Sequence, residues 1–203
     1  MDKREEVLKK IGLDVLNLKN SVLAKERVQN NYLPVIGEGN YFADIMFVGE
    51  APGKNEAETG KPFCGRAGKV LDKLLSSINI SREEVYITNI VKDRPPKNRD
   101  PLPEEIEIYA PFLDRQIEVI KPKVVATLGR FSMEYIMRRY GLEREVAPIS
   151  VLHGQKLEAC LPVGRVGKAK SFKLVPLYHP AAAIYNQHLM STLEEDFKVL
   201  KKL

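Results

Sequence analysis

Long apolar runs are missing from this sequence. No stretch of about 18 consecutive apolar residues occurs, so nothing in it predicts a membrane-spanning helix. The opening MDKREEVLKK lacks the apolar core of a secretory signal, which predicts an intracellular, cytoplasmic protein that is not secreted. Cysteine is scarce as well. Cys64 and Cys160 stand alone, neither with a partner at C-x-x-C spacing, which excludes a recognisable zinc or cluster pattern. In a reducing compartment no disulfide joins them, and both are expected to pack. G-x-G-x-x-G and G-x-x-x-x-G-K-[ST] are absent, which argues against dinucleotide and nucleoside-triphosphate chemistry. No Ser-His-Asp or Cys-His pairing in a suitable context replaces them.

What is present suits one well-filled core. The chain has 203 residues, of which 44% are hydrophobic and 29% charged, enough for a single domain over 1–203. Helical spacing over 2–28 (Val7, Leu8, Ile11, Val15, Leu18, Val22) predicts an N-terminal helical segment, 1–36, packed on that domain. Ala43–Val48, Val85–Thr88, Lys123–Leu128 and Phe172–Leu177 read as buried strands. Gly68–Ile78, Glu104–Ile120 and Gly129–Tyr140 read as helices between them, and the stretch 153–171 as a hairpin or loop. A last helix is expected from Ser191, with Glu194 at capping-box spacing. Strands alternating with helices predict an α/β fold: three layers, α/β/α, around a mostly parallel sheet of four strands.

Such sheets bind ligands at the carboxyl ends of their strands. Four segments fall there: Gly49–Gly53, Asn89–Lys92, Leu128–Arg130 and Tyr178–Pro180. They bring a carboxylate (Glu50), an amide (Asn89) and an imidazole (His179) to one edge, with Phe63 a short way downstream of the first. Separately, each has an ordinary structural explanation. Together they suit a flat heterocycle, with a ring to stack on it, an amide to read its edge and a donor for an oxygen gaining charge. Net charge is +5, and cations gather in loops on this edge: Lys92, Arg94, Lys97 and Arg99, then Arg165, Lys168 and Lys170. Phosphate-backbone contact needs such loops.

Five segments, in this order, carry a resemblance: GEGN (37–40), DIMFVGEAPG (44–53), GKPFCGRAGKVLD (60–72), VYITNIVKDRPPKNRDP (85–101) and LYHPAAAIYN (177–186). The sequence resembles the family 4 uracil-DNA glycosylases over most of its length. That resemblance implies a monofunctional base-excision repair enzyme, without a lyase step, acting as a monomer on uracil-containing single- or double-stranded DNA. It implies Phe63 stacked on a flipped uracil, Asn89 on its polar edge and the turn at Glu50 and Ala51 lining the pocket. His179 would donate to the uracil O2 as the base departs. Glu50 is the candidate for directing water, since the related family 1 enzymes carry Asp where Ala51 stands. Ile184 or Tyr185 would fill the gap left in the duplex.

One departure is large. The family usually holds a [4Fe–4S] cluster on four cysteines, two in the N-terminal segment and two matching Asp93 and about Tyr109 here. None of the four is present, so no cofactor and no metal ligand is expected. Apolar contacts from Leu18–Pro34 are expected to do the stapling instead. Three alternatives stay open at this point: a non-catalytic uracil-DNA binder, a hydrolase of free nucleosides, and a glycosylase of broader deaminated-base range.

Overall fold

The computed structural model describes residues 2–160 and 171–201. Two helices come first, α1 (Lys3–Leu16) and α2 (Val22–Gln29), where the spacing predicted one continuous segment. The break falls at Ser21, whose Oγ accepts the Ala24 N–H at 3.3 Å and caps α2. After a short β1 (Glu38–Gly39) come β2 (Ile45–Gly49), α3 (Lys54–Thr59), α4 (Arg66–Ser77) and β3 (Tyr86–Asn89). The second half runs α5 (Pro103–Ile120), β4 (Val124–Leu128), α6 (Arg130–Arg139), α7 (Ile149–Leu152) and β5 (Leu157–Cys160). It closes with β6 (Ser171–Leu177), α8 (Ala182–Tyr185) and α9 (His188–Leu200).

Six strands form the sheet, in the order β1-β3-β2-β4-β6-β5. The four expected strands are its parallel centre, β3-β2-β4-β6. Two short antiparallel edge strands, β1 on β3 and β5 on β6, correct the predicted count. Neither edge strand carries a continuous apolar run, so neither announces itself in sequence. The pairing of β5 with β6 selects the hairpin alternative for this region, while residues 161–170 lie outside the described residues.

Central strands are buried on both faces, as parallel strands are. On one face Met46, Val48, Val125 and Leu174 pack with Ile11 and Val15 of α1, Leu113 and Ile117 of α5, and Ile136 of α6. On the other, Phe47, Ile87, Ala126 and Val175 meet Leu71, Leu74 and Leu75 of α4 and Phe197 of α9. Period-two alternation along each strand assigns the two sets. The three-layer expectation holds. Among the described residues no helix is long and apolar enough to cross a membrane.

Two smaller expectations change. The last helix starts at His188 rather than Ser191, because Asn186 Oδ1 accepts the His188 N–H at 3.1 Å and starts the turn earlier. Both cysteines are exposed rather than packed. Cys160 takes the outward position of an edge strand beside buried Ala159, and Cys64 follows Phe63 on an open turn.

Candidate active site at the strand ends

The chain leaves β2 for β3 on one side and then crosses β2 to reach β4 on the other. Such a reversal opens a crevice above the strand ends. A cavity of about 480 Å³ lies there, lined by Glu50, Ala51, Phe63, Asn89 and His179. Five residues singled out from sequence therefore share one cavity, and Pro95, Asn98, Arg99 and Asp100 form its rim.

Close packing fixes the floor. A methyl group built on Gly49 would lie 2.3 Å from Asn89 Oδ1 and 2.8 Å from the Phe63 ring. Only a residue without a side chain lets the amide and the aromatic meet over the end of β2. Phe63 itself has φ +48°, a left-handed conformation rare for a bulky residue and characteristic of functional sites. Glu56 holds it there: its Oε1 accepts the backbone N–H of Cys64 at 3.1 Å and of Gly65 at 3.0 Å. Gly68 lets the first turn of α4 close on the same segment, since a methyl group there would overlap the Phe63 carbonyl at 1.7 Å.

His179 faces Phe63 with ring centroids 5.7 Å apart and planes tilted by 32°. Its Nδ1 accepts the Ala181 N–H at 3.1 Å, so in the neutral ring the proton sits on Nε2. Burial pushes its pKa below the ordinary histidine value, against a smaller opposing pull from Glu56. The ring is thus a neutral Nε2–H donor. Glu50 is shifted the other way. Burial raises its carboxyl from 4.5 to about 7, Asp100 adds to the rise and Arg130 opposes it.

The basic loop after β3 divides. Lys92, expected at the DNA surface, is wholly buried, and that expectation is corrected. Beyond β3 the chain bends but keeps backbone hydrogen bonds, with Val91 N–H on Glu50 O and Val35 N–H on Lys92 O, and the Lys92 side chain turns inward. Its Nζ donates to Asn89 O at 2.6 Å, Gln116 Oε1 at 2.6 Å and Thr88 Oγ1 at 2.8 Å. Burial drives its pKa well down. Arg94 donates to Tyr32 Oη at 2.9 Å and Asn98 Oδ1 at 2.7 Å. Arg99 forms a two-pronged pair with buried Glu105 at 2.6 and 2.8 Å. Lys97 is exposed at the apex of the turn. Arg165, Lys168 and Lys170 lie outside the described residues.

Beyond His179, Ala181 lines the cavity and α8 follows at once. There Ile184 is half-buried, whereas Tyr185 stands 85% exposed. Sequence reasoning missed Glu56, Asp100 and the close approaches at Gly49 and Gly68, none of which has a local signature.

The residues present do not fit an iron–sulfur cluster. Such clusters are held by thiolates, whereas the two positions matched to ligands hold Asp93 and Tyr109. Those two are buried against each other, with Tyr109 Oη donating to Asp93 Oδ2 at 2.6 Å. Burial lifts the Asp93 carboxyl to about 6, opposed by that hydrogen bond and by Arg27. The expected apolar stapling is corrected in part: Leu23 of α2 is buried, but the groups that reach Asp93 and Tyr109 are Arg27 and Ser21.

A family model described as the uracil DNA glycosylase superfamily matches residues 36–201. A type-4 uracil-DNA glycosylase of Sulfurisphaera tokodaii is 44% identical over 199 residues, 97% of this chain and 84% of the relative. One of Archaeoglobus fulgidus is 43% identical over 98% of this chain and 94% of its own. A type-5 uracil-DNA glycosylase of Thermus thermophilus is more distant, at 33% over 65% of each. With the family model spanning all six strands and every residue of the strand-end cavity, the chain belongs to the uracil DNA glycosylase superfamily.

Proposed function

We propose that the protein is a uracil-DNA glycosylase, hydrolysing the bond between a flipped uracil and its deoxyribose and leaving an abasic site. The observation that carries this reading is the cavity in which the Phe63 ring, the Asn89 amide and a neutral Nε2–H of His179 converge. Uracil is flat, with alternating donors and acceptors on its edge, and leaves as an anion. Phe63 stacks on the base and Asn89 hydrogen-bonds its edge, which discriminates it from cytosine. His179 donates to O2 as negative charge accumulates there. A neutral donor serves this step, because its preformed dipole is aimed where charge develops.

Glu50, ionised above about pH 7, directs the attacking water toward C1′. Among the described residues no lysine lines the cavity, and the Lys92 amino group is engaged by three oxygens beneath Asn89. This supports simple hydrolysis over an imine intermediate and hence no lyase step. Lys97 and Arg94, with Arg165 and Lys168, are read as the phosphate contacts. Tyr185 is read as the wedge in preference to Ile184, because its ring is already in solvent, four residues past cavity-lining Ala181. The substrate is uracil-containing DNA, single- or double-stranded, inside the cell, and the protein acts as a monomer without cofactor.

The test is incubation with a single-uracil oligonucleotide, then alkali. Cleavage at the uracil position after alkali and none before it is expected. An intact strand after alkali contradicts catalysis and leaves a non-catalytic binder. Release of base from free deoxyuridine with no dependence on salt points to a nucleoside hydrolase instead.

A further inference from the structure

Asp93, Tyr109, Ser21 and Arg27 form one buried polar group, none more than 4% exposed. Tyr109 Oη donates to Asp93 Oδ2 at 2.6 Å and lies 3.1 Å from Ser21 Oγ. Arg27 Nε lies 3.5 Å from Asp93 Oδ1. The same guanidinium donates to the Val15 carbonyl at 3.3 Å and the Leu16 carbonyl at 2.9 Å. The group thereby ties the end of α1, the start and middle of α2, the loop after β3 and helix α5 to one point.

Buried charge is an uneconomical way to stabilise a fold unless it fixes something. What it fixes here is the approach to the cavity rim. Arg94 follows Asp93 directly and is held by Tyr32, just past α2. Pro95, Asn98, Arg99 and Asp100 then line the cavity. At the far end Arg99 is clamped to Glu105 on α5. The rim is pinned at both ends, and one pin is this group.

We propose that the Ser21–Tyr109–Asp93–Arg27 network does without metal what the family's cluster would do, positioning the cavity-rim loop 94–100 for DNA. Two of its members stand where cluster ligands are matched, and the other two reach in from the N-terminal segment that would supply the rest. The network joins the same segments through hydrogen bonds and one ion pair, so the active enzyme is iron-independent. That the rim serves DNA rests on the function proposed above; the tie itself does not.

The test uses the full-length protein purified anaerobically, with iron and acid-labile sulfide measured first. Substoichiometric amounts are expected, and stoichiometric iron and sulfide overturn the proposal. Next, Tyr109→Phe and Arg27→Met are compared with Leu23→Ala, which damages α2 packing without removing a hydrogen-bonding or charged group of the network. Trypsin cleavage after Lys97 and Arg99 should accelerate about tenfold in the two network variants and little in Leu23→Ala, as expected for losing a hydrogen bond to a buried charge. KM for uracil-DNA should rise by a similar factor, about tenfold, with kcat within about twofold. Arg27→Met/Asp93→Asn, which removes both charges, should recover part of the thermal stability lost in Arg27→Met. Should Arg27→Met not fold, Tyr109→Phe carries the comparison alone. Cleavage and KM that follow Leu23→Ala overturn the positioning role. If the wild-type protein excises no uracil while cleavage still responds, the functional reading falls and the tie stands.

Discussion

In the proposed mechanism Glu50 directs the attacking water only when ionised, and its half-buried position raises its pKa to about 7. The ionised fraction is then about one-tenth at pH 6, one-half at pH 7 and nine-tenths at pH 8. Single-turnover excision should rise about tenfold from pH 6 to pH 8, with its midpoint near 7. Burial lowers the His179 pKa, and because the neutral ring is the donor its titration adds no falling limb as pH rises. The neighbours set the direction of two further shifts. Asp100→Asn removes the negative charge that raises Glu50 and should move the midpoint to lower pH. Arg130→Gln removes the opposing positive charge and should move it higher. Glu50→Gln should flatten the profile and lower the plateau by about 10²–10⁴.

Stability follows the opposite course. The folded-state pKa lies above 4.5, so the stability this carboxyl contributes is intact below about 4.5 and lost as pH rises through about 7. Glu50→Gln should therefore raise Tm above pH 7 and leave it unchanged near pH 4. A wild-type excision rate flat between pH 6 and 8, or a Gln variant that keeps the slope, refutes this role for Glu50.

Four other outcomes follow from the geometry. Gly49→Ala should abolish excision while circular dichroism shows a folded protein, because its methyl group collides with Asn89 Oδ1 and the Phe63 ring. Lys97→Ala should reduce the slope of log binding constant against log salt by about one. Lys92→Met should leave that slope unchanged, because Lys92 is buried, and should instead raise KM and weaken uracil-over-cytosine discrimination by loosening Asn89. Tyr185→Ala should slow excision from duplex several-fold more than from single strands, which need no wedge to hold the base out.

The parallel centre of the sheet was legible because Ile45–Gly49 and, apart from Thr127, Val124–Leu128 are apolar, as expected of strands buried on both faces. Edge strands were not. Glu38–Gly39 is too short for any pattern, and Leu157–Cys160 buries mainly Ala159. Helix α3 stayed hidden because KNEAET is polar at every position but one. Glu50, Phe63, Asn89 and His179 could be gathered because strand ends in an α/β sheet converge, and that follows from element order alone.

Lys92 misled for a physical reason. Residue type predicts charge, but the backbone hydrogen bonds that hold the bend after Asn89 decide where the side chain points. Glu56 is silent in sequence for a related reason: its partners are backbone N–H groups eight and nine residues on, joined only once the Phe63 turn has formed. Asp93 and Tyr109 were noticed only as missing cysteines. Their contact with each other required the fold.

In the proposed mechanism His179 supplies the donor for a departing uracil anion at this cavity. The most direct test is single-turnover excision of uracil from an oligonucleotide by wild-type protein and by His179→Ala, with DNA affinity measured alongside. The account predicts alkali-labile product from the wild type, a loss of about 10²–10³ in rate for the variant, and affinity within a few-fold. Equal rates in the two proteins would contradict it.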